Sequence, residues 1–178
     1  MGAESSELML EIERVLPARQ PEVFAAFADP DLMAQWWGPE GFRIASLDFR
    51  PEVGRGYRIE MQPPEGDAFQ LIGEFREVEP PARLAFTFIW EEPHPDDVET
   101  LAALEFRGLG DSTEVALTQG AFKTEGRWDL HREGWGDSFD KLERLLSGGS
   151  ARARRRAGRP GAPPATGRTR SPGGGSSS

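Results

Sequence analysis

Residues 124–146, TEGRWDLHREGWGDSFDKLERLL, state both what they form and where it has to lie. At 100° per residue, Trp128, His131, Trp135, Phe139, Leu142 and Leu146 fall within an arc of about 80°, while Asp129, Glu133, Asp137, Asp140 and Arg144 mostly point away. The spacing predicts a long amphipathic helix whose aromatic stripe carries a single histidine. A stripe this apolar needs a second layer to cover it. The segments before it are strand-like and can supply a sheet, so function is expected where the helix covers that sheet.

Upstream of the helix, six segments bounded by turn residues read as strands, at about 42–50, 56–62, 68–78, 83–91, 99–107 and 112–119. Pro63-Pro64-Glu65-Gly66 and Gly108-Leu109-Gly110-Asp111 are the clearest turns. No long helical pattern interrupts them, which predicts an antiparallel meander in place of parallel βαβ units. Tyr57, Ile59 and Met61 share one face, as do Phe69, Leu71, Gly73 and Phe75, and as do Leu84, Phe86, Phe88 and Trp90. The inner face of the sheet is therefore aromatic. Earlier still, LMLEIERV (8–15) alternates as a first strand. PEVFAAFADPDLMAQWWGP (21–39) then predicts two short helices, broken at Asp29-Pro30 and stopped at Gly38-Pro39, with Trp36 and Trp37 packing back into the body.

All 30 Asp and Glu of the 178-residue chain, but only 14 of its 21 Lys and Arg, precede Ser147, a formal charge of −16 for that part. Such a body is a poor partner for nucleic acid or an anionic membrane. Its length suits one domain, expected over 8–147, after a flexible start at 1–7. Residues 148–178, rich in Gly, Pro, Ser and Arg, lack the large apolar side chains a core needs and read as a disordered basic tail. The absence of cysteine excludes disulfides and thiolate chemistry. With no long apolar run and no signal-peptide pattern, a cytoplasmic protein without a membrane span is expected.

The order strand, two short helices, meander, long helix resembles the helix-grip fold of the START-like (SRPBCC) superfamily, an α+β architecture. VFAAFADPDLMAQWWGP (23–39) and HREGWGDSFDKLERLL (131–146) are similar to the opening and closing signatures of the family related to the C-terminal domain of the activator of heat-shock protein 90 ATPase. The resemblance implies a curved antiparallel sheet of about six to seven strands gripping the long helix, with a hydrophobic cavity between them. It also implies a chaperone as an alternative partner. The superfamily spans carriers, cyclases, receptors and chaperone activators, so the fold alone assigns no single task.

His131, between Trp128 and Trp135 on the buried stripe, is the candidate for chemistry: it can orient a ligand's polar end, carry a proton, or simply be a core histidine bonded within the fold. Tyr57, Phe69, Phe86, Phe88, Trp90, Trp128 and Trp135 are the candidate lining of a pocket for a small hydrophobic molecule, or else solid core. Gly134 and Gly136 flank Trp135, and close approach of the helix to the sheet or to the Trp36-Trp37 corner is one reason for them. The acidic run Glu91 to Asp97, with His94, reads as a solvated loop. No metal site or cofactor is expected, and hydrolase, NTPase and dinucleotide motifs are missing. Three functions follow: a non-enzymatic binder of a small hydrophobic ligand, a chaperone-activator-like module acting through its acidic surface, or a cyclase- or hydrolase-like enzyme using His131.

Overall fold

A computed structural model describes residues 8–158, with side chains as far as residue 148. Among these residues the chain forms seven strands: β1 (Leu8–Leu16), β2 (Arg43–Asp48), β3 (Gly56–Gln62), β4 (Phe69–Glu79), β5 (Arg83–Trp90), β6 (Thr100–Gly108) and β7 (Thr113–Phe122). Their limits differ from the predicted ones by a few residues at most. The largest change is at β7, which runs on to Phe122 because that residue still pairs with Leu8 of β1. The strands make one curved antiparallel sheet in the order β1-β7-β6-β5-β4-β3-β2.

Two short helices, α1 (Gln20–Ala28) and α2 (Pro30–Met33), carry the chain from β1 at one edge to β2 at the other. Pro21 and Pro30 each stand in a first turn, where an absent N–H leaves no hydrogen bond unmade. Asp29 makes the break: its N–H closes α1 on Ala25 O, and its carboxylate caps α2 by accepting from the Asp31 N–H at 2.9 Å. Trp36 is fully buried and donates its indole N–H to Ala26 O at 2.9 Å, which folds the corner back onto α1.

The long helix α3 (Glu125–Gly158) lies chiefly over β1 and β7. Phe139 and Leu142 are fully buried there, and Arg14 of β1 donates to Asp140 at 2.5 Å. A second attachment joins it to the corner after α2. The Gly38 N–H donates to Ser138 Oγ at 3.0 Å, the Glu40 N–H to Asp137 Oδ2 at 3.2 Å, and Lys141 Nζ to Pro39 O at 3.2 Å. The helix also continues past Leu146, where the predicted one ended, into the Arg-rich segment. The expected flexible start at 1–7 and the remainder of the expected tail, 159–178, lie outside the described residues. Among the described residues no helix is long and apolar enough to cross a membrane.

At the middle of the sheet the aromatic faces meet edge to face. Phe49 touches Tyr57, Phe75 and Phe86 at ring distances of 5.1, 4.8 and 5.7 Å. Tyr57 lies across its pairing partner Gly73 and donates its hydroxyl to Thr87 O at 2.5 Å, while Thr87 Oγ1 accepts from the Glu74 N–H. A methyl group at residue 73 would stand 1.9 Å from Thr87 O and 2.5 Å from the tyrosine ring, so only glycine fits. This plug fills the centre of the sheet.

Candidate functional site

Because α3 is fixed over β1 and β7 and at the Gly38-Pro39 corner, its N-terminal half does not fill the concavity of β3 to β5. A cavity of about 500 Å³ remains. Trp37, Phe42, Met61, Phe69, Phe88, Trp90 and Trp135 form its apolar walls, and α3 presents Arg127, Leu130, His131, Gly134, Trp135 and Ser138 to it. Glu91, Glu92 and His94, from the loop after β5, lie exposed at its rim, with Asp97 of the same loop turned in beside Arg127.

Five of the eight residues predicted from sequence meet in this cavity: Phe69, Phe88, Trp90, His131 and Trp135. The other three do not line it. Tyr57 and Phe86 belong to the plug around Phe49, with Tyr57 held by its bond to Thr87 and its ionisation suppressed by burial, then by Glu99. Trp128 is half-buried at the flank of α3, donates to Met9 O at 2.9 Å and carries the Arg132 guanidinium on its ring. Period-two and period-3.6 patterns identified the inward faces correctly, but they do not show where along a curved face two layers separate.

Trp37 and Met61, read from sequence as facing inward, were not among the candidate site residues, and Asp97, read as part of a solvated loop, instead has its side chain buried against Arg127. Trp37 had a local signal, since WWGP puts one ring under α1 and its neighbour on the other side. The ring of Trp37 meets Trp135 edge to face at 5.1 Å. Trp135 is in turn fixed by a buried polar chain: its Nε1–H donates to Gln119 Oε1 at 2.6 Å, and Gln119 Nε2 donates to Thr100 Oγ1 at 2.9 Å. Gln119 is fully buried at the inward end of β7, so an unpaired amide there would be costly, and the chain defines the rotamer of the tryptophan.

His131 is 8% exposed and packed by the rings of Phe122, Phe88 and Trp90 at 4.8, 5.3 and 5.9 Å. Its imidazole makes no hydrogen bond to the protein among the described residues, so the bonded core histidine is not what the structure contains. Burial pushes its pKa from 6.5 down to about 4; the Asp97 carboxylate opposes that change and Arg127 adds to it. At neutral pH it is a neutral ring with one donor and one acceptor unspent. Asp97, its side chain 7% exposed, takes Arg127 Nε at 3.3 Å and the His94 N–H at 2.7 Å, fixing the loop against α3.

The glycines of α3 are not there for close approach. A Cβ at Gly134 would meet only Pro39 at an ordinary 3.8 Å, and one at Gly136 would meet nothing within 4 Å. Glu60 and Glu105 turn outward to Ser46 and Arg83. Among the described residues no group of three or more His, Asp or Glu is arranged to hold a metal ion.

Solved structures share this architecture. A protein from Nitrosomonas europaea is 29% identical, with 83% of this chain and 99% of that one covered at a TM-score of 0.66. An AHSA1 protein from Silicibacter pomeroyi is 26% identical, with 78% and 97% covered at 0.68. A Chromobacterium violaceum protein shares the fold at 24% identity, with 78% and 96% covered and a TM-score of 0.72. A comparison with curated proteins finds no match. The family described as activator of Hsp90 ATPase homolog 1-like protein matches residues 17–147, from the end of β1 to the part of α3 that closes the cavity, and the chain belongs to that family.

Proposed function

We propose that this domain binds a small apolar molecule in the cavity between the N-terminal half of α3 and strands β3 to β5, without transforming it. The observation that carries the reading is an aromatic cavity of about 500 Å³, within the size range of small-molecule sites, that contains a neutral histidine with its hydrogen bonds unspent. A ligand that pairs with His131 satisfies a group the fold leaves open. Catalysis by His131 is the weaker reading. An imidazole with a pKa near 4 is a feeble base and holds almost no proton to donate at neutral pH.

Gly134 allows a direct test, because the residue lines the cavity and a Cβ there meets only Pro39, at an ordinary 3.8 Å. Gly134→Leu improves helix propensity while adding bulk to the cavity wall. Titration with the neutral fluorophore N-phenyl-1-naphthylamine should give one saturable site on the wild type. In Gly134→Leu the affinity should fall at least ~10-fold with no loss of thermal stability. Equal affinity in the two proteins, or no binding to either, removes the reading.

The family description favours a second reading, a chaperone-activating module that works through the acidic outer surface. It requires salt-sensitive binding to an Hsp90-type chaperone and stimulated ATP hydrolysis, both indifferent to Gly134→Leu.

A further inference from the structure

We propose that the ligand of this cavity is an organic cation, an apolar body ending in an amine, with Glu92 as the counter-charge. The proposal deepens the binding reading and rests on it. Among the described residues Arg127 is the one Lys or Arg in the lining, and its Nε is already engaged by Asp97 at 3.3 Å. Glu91 is likewise matched, accepting from Arg58 at 2.6 Å. His94 Nδ1 accepts from the Asp96 N–H. Glu92 alone of these carboxylates has no ion pair or hydrogen bond among the described residues. The cavity therefore offers one uncompensated negative charge and no uncompensated positive one.

Two further features point the same way. The walls include the aromatic rings of Trp37, Phe69 and Trp90, and aromatic rings attract ammonium groups where their faces are presented. His131, nine-tenths buried and unpartnered, can accept an N–H from an amine through its unprotonated nitrogen. A carboxylate ligand would instead lose its hydration beside Glu92 and Asp97, with no free cation to replace it.

Three probes with one ring system separate the cases: 2-naphthylmethylamine, 2-naphthalenemethanol and 2-naphthoate, titrated by calorimetry at neutral pH. The amine should bind at least ~10-fold more tightly than the carboxylate, with the alcohol between them. Glu92→Gln should reduce the preference for amine over carboxylate several-fold while leaving the alcohol unchanged. Carboxylate binding as tight as the amine's, or a preference that Glu92→Gln does not alter, overturns the proposal and leaves cavity binding intact. If none of the three binds, cavity binding and this proposal fall together.

Discussion

His131 is the residue in which burial, charge and function meet. The unfolded chain takes up a proton at this side chain near pH 6.5, whereas the folded one resists until about pH 4. Between those values the unfolded state binds more protons, so stability present above pH 6.5 is lost as the pH falls through the window. The loss is about 1.4 kcal/mol per unit, reaching roughly 3 kcal/mol at the lower end. Asp97 and Arg127, which face the ring from the loop and from α3, already enter that balance. His131→Gln should remove this part of the slope, so urea unfolding from pH 7 to pH 4.5 should show the wild type losing the stability it holds relative to the variant. Parallel losses in both proteins would mean that the histidine is not held neutral. The helical spacing placed this residue on the buried stripe. Its lack of a partner was not legible, because that depends on Phe88 and Trp90 of β5 and Phe122 of β7, which are distant in sequence from the helix residue they enclose.

At the scale of the element, α3 combines an apolar stripe readable from sequence with attachments that are not. The stripe from His131 to Leu142 is buried as the periodicity requires, but Trp128 and Leu146, at the two ends of the same arc, are only half-buried, Trp128 lying against Met9 of the edge strand β1. Asp137, whose side chain read as pointing away from the sheet, holds the Gly38-Pro39 corner instead, together with Ser138 and Lys141. Lys141 is partly desolvated by that role, and its pKa falls as a result, against the pull of Glu40 and Asp137. Gly136 has no such task. Gly136→Ala is expected to stabilise the fold by about 1 kcal/mol, the ordinary difference between the two residues in a helix interior. Thermal unfolding would check it: an unchanged or lower midpoint would show that the glycine meets a constraint absent from the packing around it.

The whole molecule follows from one geometric mismatch. A straight helix touches a curved sheet well only where the two run close, here along β1 and β7. Toward one end of β3 to β5 the gap is filled by Phe49, Tyr57, Phe75 and Phe86, and toward the other end of the same strands, at Met61, Phe69, Phe88 and Trp90, it is left open. The meander from β2 to β7 and the helix could be read from turns and periodicity, since both are local properties of the chain, whereas the pairing of β1 with β7 joins residues as far apart in the chain as Leu8 and Phe122. The division of the aromatic residues between plug and cavity could not, because Phe86 and Phe88 share one strand face and differ only in their position along its curvature. The five tryptophans report on that division directly. Trp37, Trp90 and Trp135 line the cavity, whereas the indoles of Trp36 and Trp128 are bonded to Ala26 O and Met9 O away from it. The most direct measurement is a nitrogen-edited NMR titration with N-phenyl-1-naphthylamine, followed at the five indole N–H signals. Ligand in the cavity should move the signals of Trp37, Trp90 and Trp135 together and leave those of Trp36 and Trp128 in place. Saturation with shifts confined to Trp36 or Trp128, or no shift at any indole, would contradict a binding site between helix and sheet.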